Sequence, residues 1–164
     1  MSFDAEEAGL RGSRAFRKAR LGQGGFGYPV WNLNLECLFD ASELFFLSSD
    51  INGSVRLSKG FASRCAALLK DITGQIVPVG PIAFLTGGTD AGETTRAGAE
   101  ATTLMGMPWS NSARSAVYHT PADTVEAVSP QAVEAALKLM DRLARELDEE
   151  LGILNVNSGP HPSS

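Results

Sequence analysis

Apolar residues recur at spacings of three and four near the end of the chain, through Val133, Ala136, Leu137, Met140, Leu143, Ala144, Leu147 and Leu151. Asp141, Arg142, Arg145, Asp148 and Glu149 fall mostly off that stripe, which predicts an amphipathic helix over 130–151. Ser129 and Pro130 suit its N-cap and first turn, and Gly152 its end. Phe61, Cys65, Leu68 and Leu69 predict a second helix over 58–70. Between 30 and 39 the period changes to two. Trp31, Leu33 and Leu35 share one face and Val30, Asn32, Asn34 and Glu36 the other, the pattern of a strand. Further strands are expected at 44–47, 75–79 and 101–105, and short helices at 13–19 and 93–97. Gly22, Gly24, Gly25 and Gly27 mark a loop, residues 50–53 a turn, and 108–117 another loop. Strands alternating with helices, without a repeat or an inter-domain linker, predict an α/β layered domain over 1–152. The Pro-, Ser- and Asn-rich end, 153–164, is expected to be a disordered tail.

Composition narrows the function. The chain has 164 residues, 43% of them hydrophobic, which suits one globular domain. A net charge of −5 gives no general attraction to nucleic acid or anionic membranes. No apolar run approaches the ~18 residues of a membrane span, and the acids at 4–7 precede any apolar run, unlike a signal peptide. The chain therefore reads as soluble, with its compartment undetermined, since Cys37 and Cys65 could form at most one disulfide. Its two histidines, His119 and His161, exclude a three-histidine zinc site. Any metal here must lean on carboxylates.

Four groups of residues could carry chemistry. Glu6 and Glu7 are adjacent carboxylates; at a strand end one could hold a metal while the other takes a proton from activated water. Equally, they could be acids opening a helix. Glu36 lies in an otherwise apolar or amide-bearing strand, where a carboxylate is costly unless paired or metal-bound, or else faces solvent at an edge. His119 is the one histidine outside the tail, and a mixed Glu/His zinc site would have to use it. Asp123 could orient its loop, although Thr120 and Asp123 also fit a capping box. Thr86-Gly87-Gly88-Thr89-Asp90 lacks phosphate-loop spacing and a following Lys, so it suits a polar pocket wall better.

These segments together resemble a known family. Glu6-Glu7-Ala8-Gly9-Leu10-Arg11-Gly12-Ser13 is similar to the Glu-Glu-x-Gly-x-x-Gly-Ser motif of the co-catalytic zinc exopeptidases, the aminopeptidases related to bacterial leucyl aminopeptidase, aminopeptidase Y and glutamate carboxypeptidase. Asn34-Leu35-Glu36 resembles their Asn-Leu-(Asp/Glu) strand, and Gly87-Gly88-Thr89-Asp90 their Gly-(Gly/Ser)-(Thr/Ser)-Asp loop. Tyr118-His119-Thr120-Pro121-Ala122-Asp123-Thr124, followed by the last helix, resembles their His-Thr-x-x-Asp-Thr segment. Order and spacing agree over about residues 3–150.

The resemblance implies an α/β/α fold with a mixed, mostly parallel sheet and a site for two zinc ions. It makes Glu6 the general base, Glu7 and His119 ligands of one zinc, and Glu36 a ligand of the other, where the family more often has Asp. Tyr118 would donate a hydrogen bond to the tetrahedral intermediate, and Gly88, Thr89 and Asp90 would shape the substrate pocket. The implied substrate is a peptide, cleaved at its N-terminal residue, although a carboxypeptidase or a cyclase of the same architecture also fits. The family pattern further contains a His-x-Asp segment and a bridging Asp ahead of the Glu-Glu pair. Here only five residues precede Glu6, so the chain is expected to carry the C-terminal part of the ligand set and to lack the first strands of the sheet. A homo-oligomer could cover the edge so exposed. A non-catalytic domain that keeps the fold as a binding or assembly module is the competing expectation. Relatives of this kind are commonly exported.

Overall fold

In the computed structural model, residues 1–50, 53–81, 88–108 and 116–152 are described. The tail with His161, the loop residues Thr86 and Gly87, and most of the 108–117 loop lie outside them. The chain runs α1 (Arg11–Gly22), β1 (Trp31–Leu38), β2 (Leu44–Asp50), β3 (Val55–Arg56), α2 (Lys59–Thr73), β4 (Val79–Pro81), α3 (Asp90–Arg96), β5 (Glu100–Gly106) and α4 (Pro130–Glu150). Single 3-10 turns occupy Ala41–Glu43 and Val125–Ala127.

The sheet is mixed, as expected. β1 pairs parallel with β5, which pairs antiparallel with β2; β2 also pairs antiparallel with β3 and parallel with β4. Among the described residues β1 has a strand partner on one side only. One core lies between the sheet and the α2/α4 layer, built on Phe46, Leu104, Phe61, Leu69 and Leu139. A second, with Phe45, Leu47, Ala91 and Met105, lies under α3. The expected three-layer arrangement is present.

Several boundaries differ from the sequence expectation for identifiable reasons. α1 begins at Arg11 rather than residue 13, because Leu10 takes a left-handed conformation (φ 57°) and starts the helix without a side-chain cap. The expected strand at 75–79 is displaced: among the described residues Val79–Pro81 pairs with β2. α3 starts at Asp90 rather than residue 93. Ser58 and Ser129 cap α2 and α4 by accepting from the backbone N–H three residues on.

The α4 stripe is the main correction. Leu139 is fully buried, with Ala132, Ala135, Ala136 and Leu143, whereas Leu137 is 58% and Met140 42% exposed. The apolar residues of α4 thus cover two adjoining faces. Alanine positions, inconspicuous because alanine is weakly hydrophobic, share a core cluster with the buried residues of α2. Met140, Leu143, Ala144 and Leu147 instead flank the unpaired side of β1, along a cavity of about 750 Å³.

On the other face, α1 is held to α3 through one buried carboxylate. Glu93, 1% exposed, accepts from Arg17 Nε at 2.6 Å and from an Arg96 guanidinium nitrogen at 2.6 Å, with Arg14 Nε at 3.7 Å. Three partly exposed guanidiniums compensate a charge that burial alone would make costly. Below this clamp Gly12 fits tightly against the entering chain, since a Cβ there would lie 2.7 Å from both Asp4 N and Asp4 O.

The α4 assignment predicts unequal costs of truncation. Leu139→Ala is expected to destabilise by about 2–5 kcal/mol and Leu137→Ala by less than about 0.5 kcal/mol in denaturant unfolding. Equal losses would contradict this helix orientation.

Candidate active site

The site lies where the chain entering α1, the end of β1, the start of α3 and the Tyr118–His119 segment come together. Residues 4–12 form a compact hook. Glu6 O accepts from Gly9 N at 3.0 Å and Leu10 N at 2.8 Å, Ala5 O from Arg11 N, and Asp4 O from Gly12 N. Glu6 and Glu7 therefore sit in a turn. They neither end a strand nor occupy the first turn of α1, so both local placements considered from the sequence are replaced. The hook gives their side chains different surroundings: Glu6 is partly buried and Glu7 77% exposed.

Glu7 Oε1 lies 3.5 Å from His119 Nε2. The His119 ring stacks on Tyr118, with centroids 4.0 Å apart and planes at 20°. Tyr118 packs against the core under α3, and burial, with the nearby Cys37, Glu36, Glu7 and Glu6, pushes its phenol up to about 12. It stays a protonated hydrogen-bond donor across the neutral range. Asp123 does not complete a capping box. The Thr120 hydroxyl donates to Val117 O and accepts from Ala122 N, closing a local turn, and no cap bond forms at the following helical turn.

Glu36 ends the regular part of β1. The register passes from Glu36 opposite Met105 to Leu38 opposite Gly106, leaving Cys37 as a bulge with φ 50°. Ala5 (φ 54°), Cys37 and His119 (φ 56°) are non-glycine residues in the left-handed region, each adjoining a candidate functional carboxylate or being one of the candidate donors. Such strain, of order 1–3 kcal/mol each, is held where surrounding structure enforces it and clusters at functional sites.

Electrostatically the site is anionic. Burial pushes the Glu36 carboxyl up to about 8; the Asn34 amide, donating to Glu36 Oε1 at 2.7 Å, opposes this, and Glu6, Asp50 and Asp90 add to it. Glu6 is raised by burial, then by Glu7 and Asp90, with His119 pulling it back. Asp90, first residue of α3, keeps a buried Oδ1 without a hydrogen-bond partner among the described residues, and it borders the β1 cavity. Thr89 is buried and Gly88 partly buried beside it, but Thr89 turns its hydroxyl inward onto Asp50.

Whether these residues suit zinc can be judged from the donors. Carboxylates and one imidazole are appropriate ligands, Glu7 and His119 are neighbours, and a cation would offset the crowding that raises Glu6 and Glu36. Yet among the described residues no three His, Cys, Asp or Glu side chains stand close enough to hold one ion. Among the described residues the donors do not complete a shell.

Sequence reasoning missed the Glu93 clamp and the buried Asp50, which the Asp50–Gly53 turn signal disguised. Asn34 could have been singled out, because the alternation of β1 puts it on the Glu36 face.

The raised Glu36 pKa has a definite consequence for stability. Its folded value, about 8, exceeds the ordinary value of 4.5, so the folded state holds the proton more tightly. Ionisation of Glu36 then erodes stability as pH rises through this window. Glu36→Gln, compared with the parent in metal-free buffer, is expected to raise Tm above pH 8, with the gain shrinking to nothing below pH 4.5. A gain independent of pH would contradict a proton held at Glu36.

The model of Peptidase family M28 matches residues 1–144. Two structures of BSAP, a zinc aminopeptidase from Bacillus subtilis, superpose with TM-scores of 0.64 and 0.68 at 22% identity, covering 84% and 89% of this chain and 32% and 34% of that one. An aminopeptidase from Aneurinibacillus sp. strain AM-1 gives a TM-score of 0.58 at 20% identity, covering 84% of this chain and 30% of that one. At such identities the likeness concerns the fold, and the chain spans about a third of the length of these aminopeptidases. No curated protein sequence matches it. The family match over most of the chain and the shared α/β/α fold agree with the four motifs in order: the chain belongs to peptidase family M28.

Proposed function

We propose that this chain forms part of the catalytic domain of a zinc-dependent exopeptidase, cleaving N-terminal residues from peptides when its site is complete. The observation that carries this is the meeting of Glu7 and His119 at 3.5 Å, beside the Glu6 and Glu36 carboxylates with raised pKa values. Glu7 and His119 serve as ligands to one metal ion and Glu36 to a second. The remaining ligands come from outside the described residues. Zinc in such sites polarises a peptide carbonyl and acidifies water.

This chain's own residues do the rest. Glu6, partly buried and raised by its neighbours, takes a proton from the attacking water and delivers it to the leaving amine; a carboxylate shifted toward neutrality suits both directions of transfer. Tyr118 donates to the oxygen of the tetrahedral intermediate, and its stacking on His119 fixes that ring. Asp90 and Gly88 wall the substrate pocket and Thr89 backs them from the sheet interior; Asp90 Oδ1, without a hydrogen-bond partner among the described residues, is the acceptor for a substrate group.

One observation favours a second reading, a fold kept as a binding or assembly module: no three donors converge among the described residues. Domain extent is part of the same proposal, with 1–152 as the part of the catalytic domain carried here. Among the described residues no helix is long and apolar enough to cross a membrane. A homo-oligomer covering the unpaired side of β1 belongs to the second reading.

Zinc content and hydrolysis of aminoacyl-nitroanilides distinguish the two. The chain alone is expected to bind zinc weakly and turn over little, whereas a form extended upstream binds two ions and cleaves. In that form Glu6→Gln should lower kcat by roughly 10²–10⁴-fold with zinc retained. An extended form that neither binds zinc nor cleaves would sink the peptidase reading.

A further inference from the structure

A line of hydrogen bonds crosses the sheet beneath the site. Asp50, at the end of β2 and fully buried, accepts at Oδ2 from Thr89 N at 2.7 Å and Thr89 Oγ1 at 2.9 Å. Thr89 Oγ1 lies 3.1 Å from Thr103 Oγ1 on β5. Thr103 Oγ1 accepts from Asn34 Nδ2 at 3.3 Å, and the same nitrogen donates to Glu36 Oε1 at 2.7 Å. The parallel register sets Asn34 opposite Thr103, so the bridge between strands is direct.

Counting protons leaves one arrangement. Thr89 Oγ1 donates its single proton to Asp50 Oδ2. Thr89 Oγ1 must then accept from Thr103, whose single proton is thereby committed, and Thr103 must accept from Asn34. Both Asn34 Nδ2 protons are used, one on Thr103 and one on Glu36. Space at the far end is equally tight, because a Cβ on Gly92 would lie 2.5 Å from Asp50 Oδ2.

We propose that Asp50, Thr89 and Thr103 are positioning residues, which through Asn34 fix the orientation of the Glu36 carboxylate. Thr89 thus faces the sheet interior and acts on the site from behind. That Glu36 is a metal ligand rests on the function proposed above; the relay itself does not. Hydrogen-bonded partners of a metal ligand typically govern its affinity by 10–100-fold.

The test reads the relay directly, by exchange with solvent of the Asn34 side-chain NH2 protons in NMR of the metal-free chain. In the parent these protons are expected to exchange at least about tenfold more slowly than a free asparagine amide, as for a buried bonded group. Thr103→Val and Thr89→Val, which keep shape and remove the hydroxyl, should each speed that exchange by about tenfold or more. Thr103→Ser and Thr89→Ser should stay within about twofold of the parent, which general loosening would not do. Free-amide exchange in the parent overturns the proposal without any variant. Unchanged exchange in Thr103→Val overturns it too, as does an effect of Thr103→Val without one from Thr89→Val, since the line to Asp50 is then broken. Serine variants as fast as the valine ones also overturn it. Absence of zinc and turnover in the extended form would instead overturn the peptidase reading and leave these exchange results standing.

Discussion

The parallel pairing of β1 with β5 is the constraint on which the rest of the molecule depends. With Asn34 opposite Thr103 and Glu36 opposite Met105, one face of β1 turns its leucines and Trp31 toward α2 and α4 and the other turns its amides and Glu36 toward α3. A slip of one residue would exchange these faces and bury the carboxylate in the apolar layer. The bulge at Cys37 ends the regular register immediately after Glu36, so the strand delivers that side chain at the point where the hook of residues 4–12 arrives. The Glu93 clamp holds α1 to α3 and so keeps the hook in place.

Placed together, the carboxylates work against one another. Glu6 and Glu36 are both raised, burial being the largest cause in each case and neighbouring acids adding to it. An arrangement of this kind costs stability unless a cation or a proton compensates it. Left-handed backbone at Ala5, Cys37 and His119 adds a second local cost. Two independent penalties at one place suit a site maintained for chemistry, in keeping with membership of peptidase family M28.

Much of the fold is legible in the sequence. Period two in β1, period 3.6 in α2 and α4, and the serine caps at Ser58 and Ser129 are local signals that tertiary structure respects. The α4 face departs from expectation because size and hydrophobicity favour Leu137 and Met140, while close packing on α2 favours alanines. At the site, the motifs name Glu6, Glu7, Glu36, Asp90 and His119, and Glu7 does meet His119. Pairings over long separations, Asp50 with Thr89 and Arg17 with Glu93, stay hidden because no local spacing encodes them. Asp123 misleads because a capping pattern can also close a turn.

The most direct measurement is anomalous scattering at the zinc edge from crystals of this chain soaked at millimolar zinc. A peak is expected about 2.0–2.2 Å from a Glu7 carboxylate oxygen and a His119 ring nitrogen, with Glu36 bordering the same anionic site. Zinc bound only elsewhere, with Glu7 and His119 apart, would contradict it.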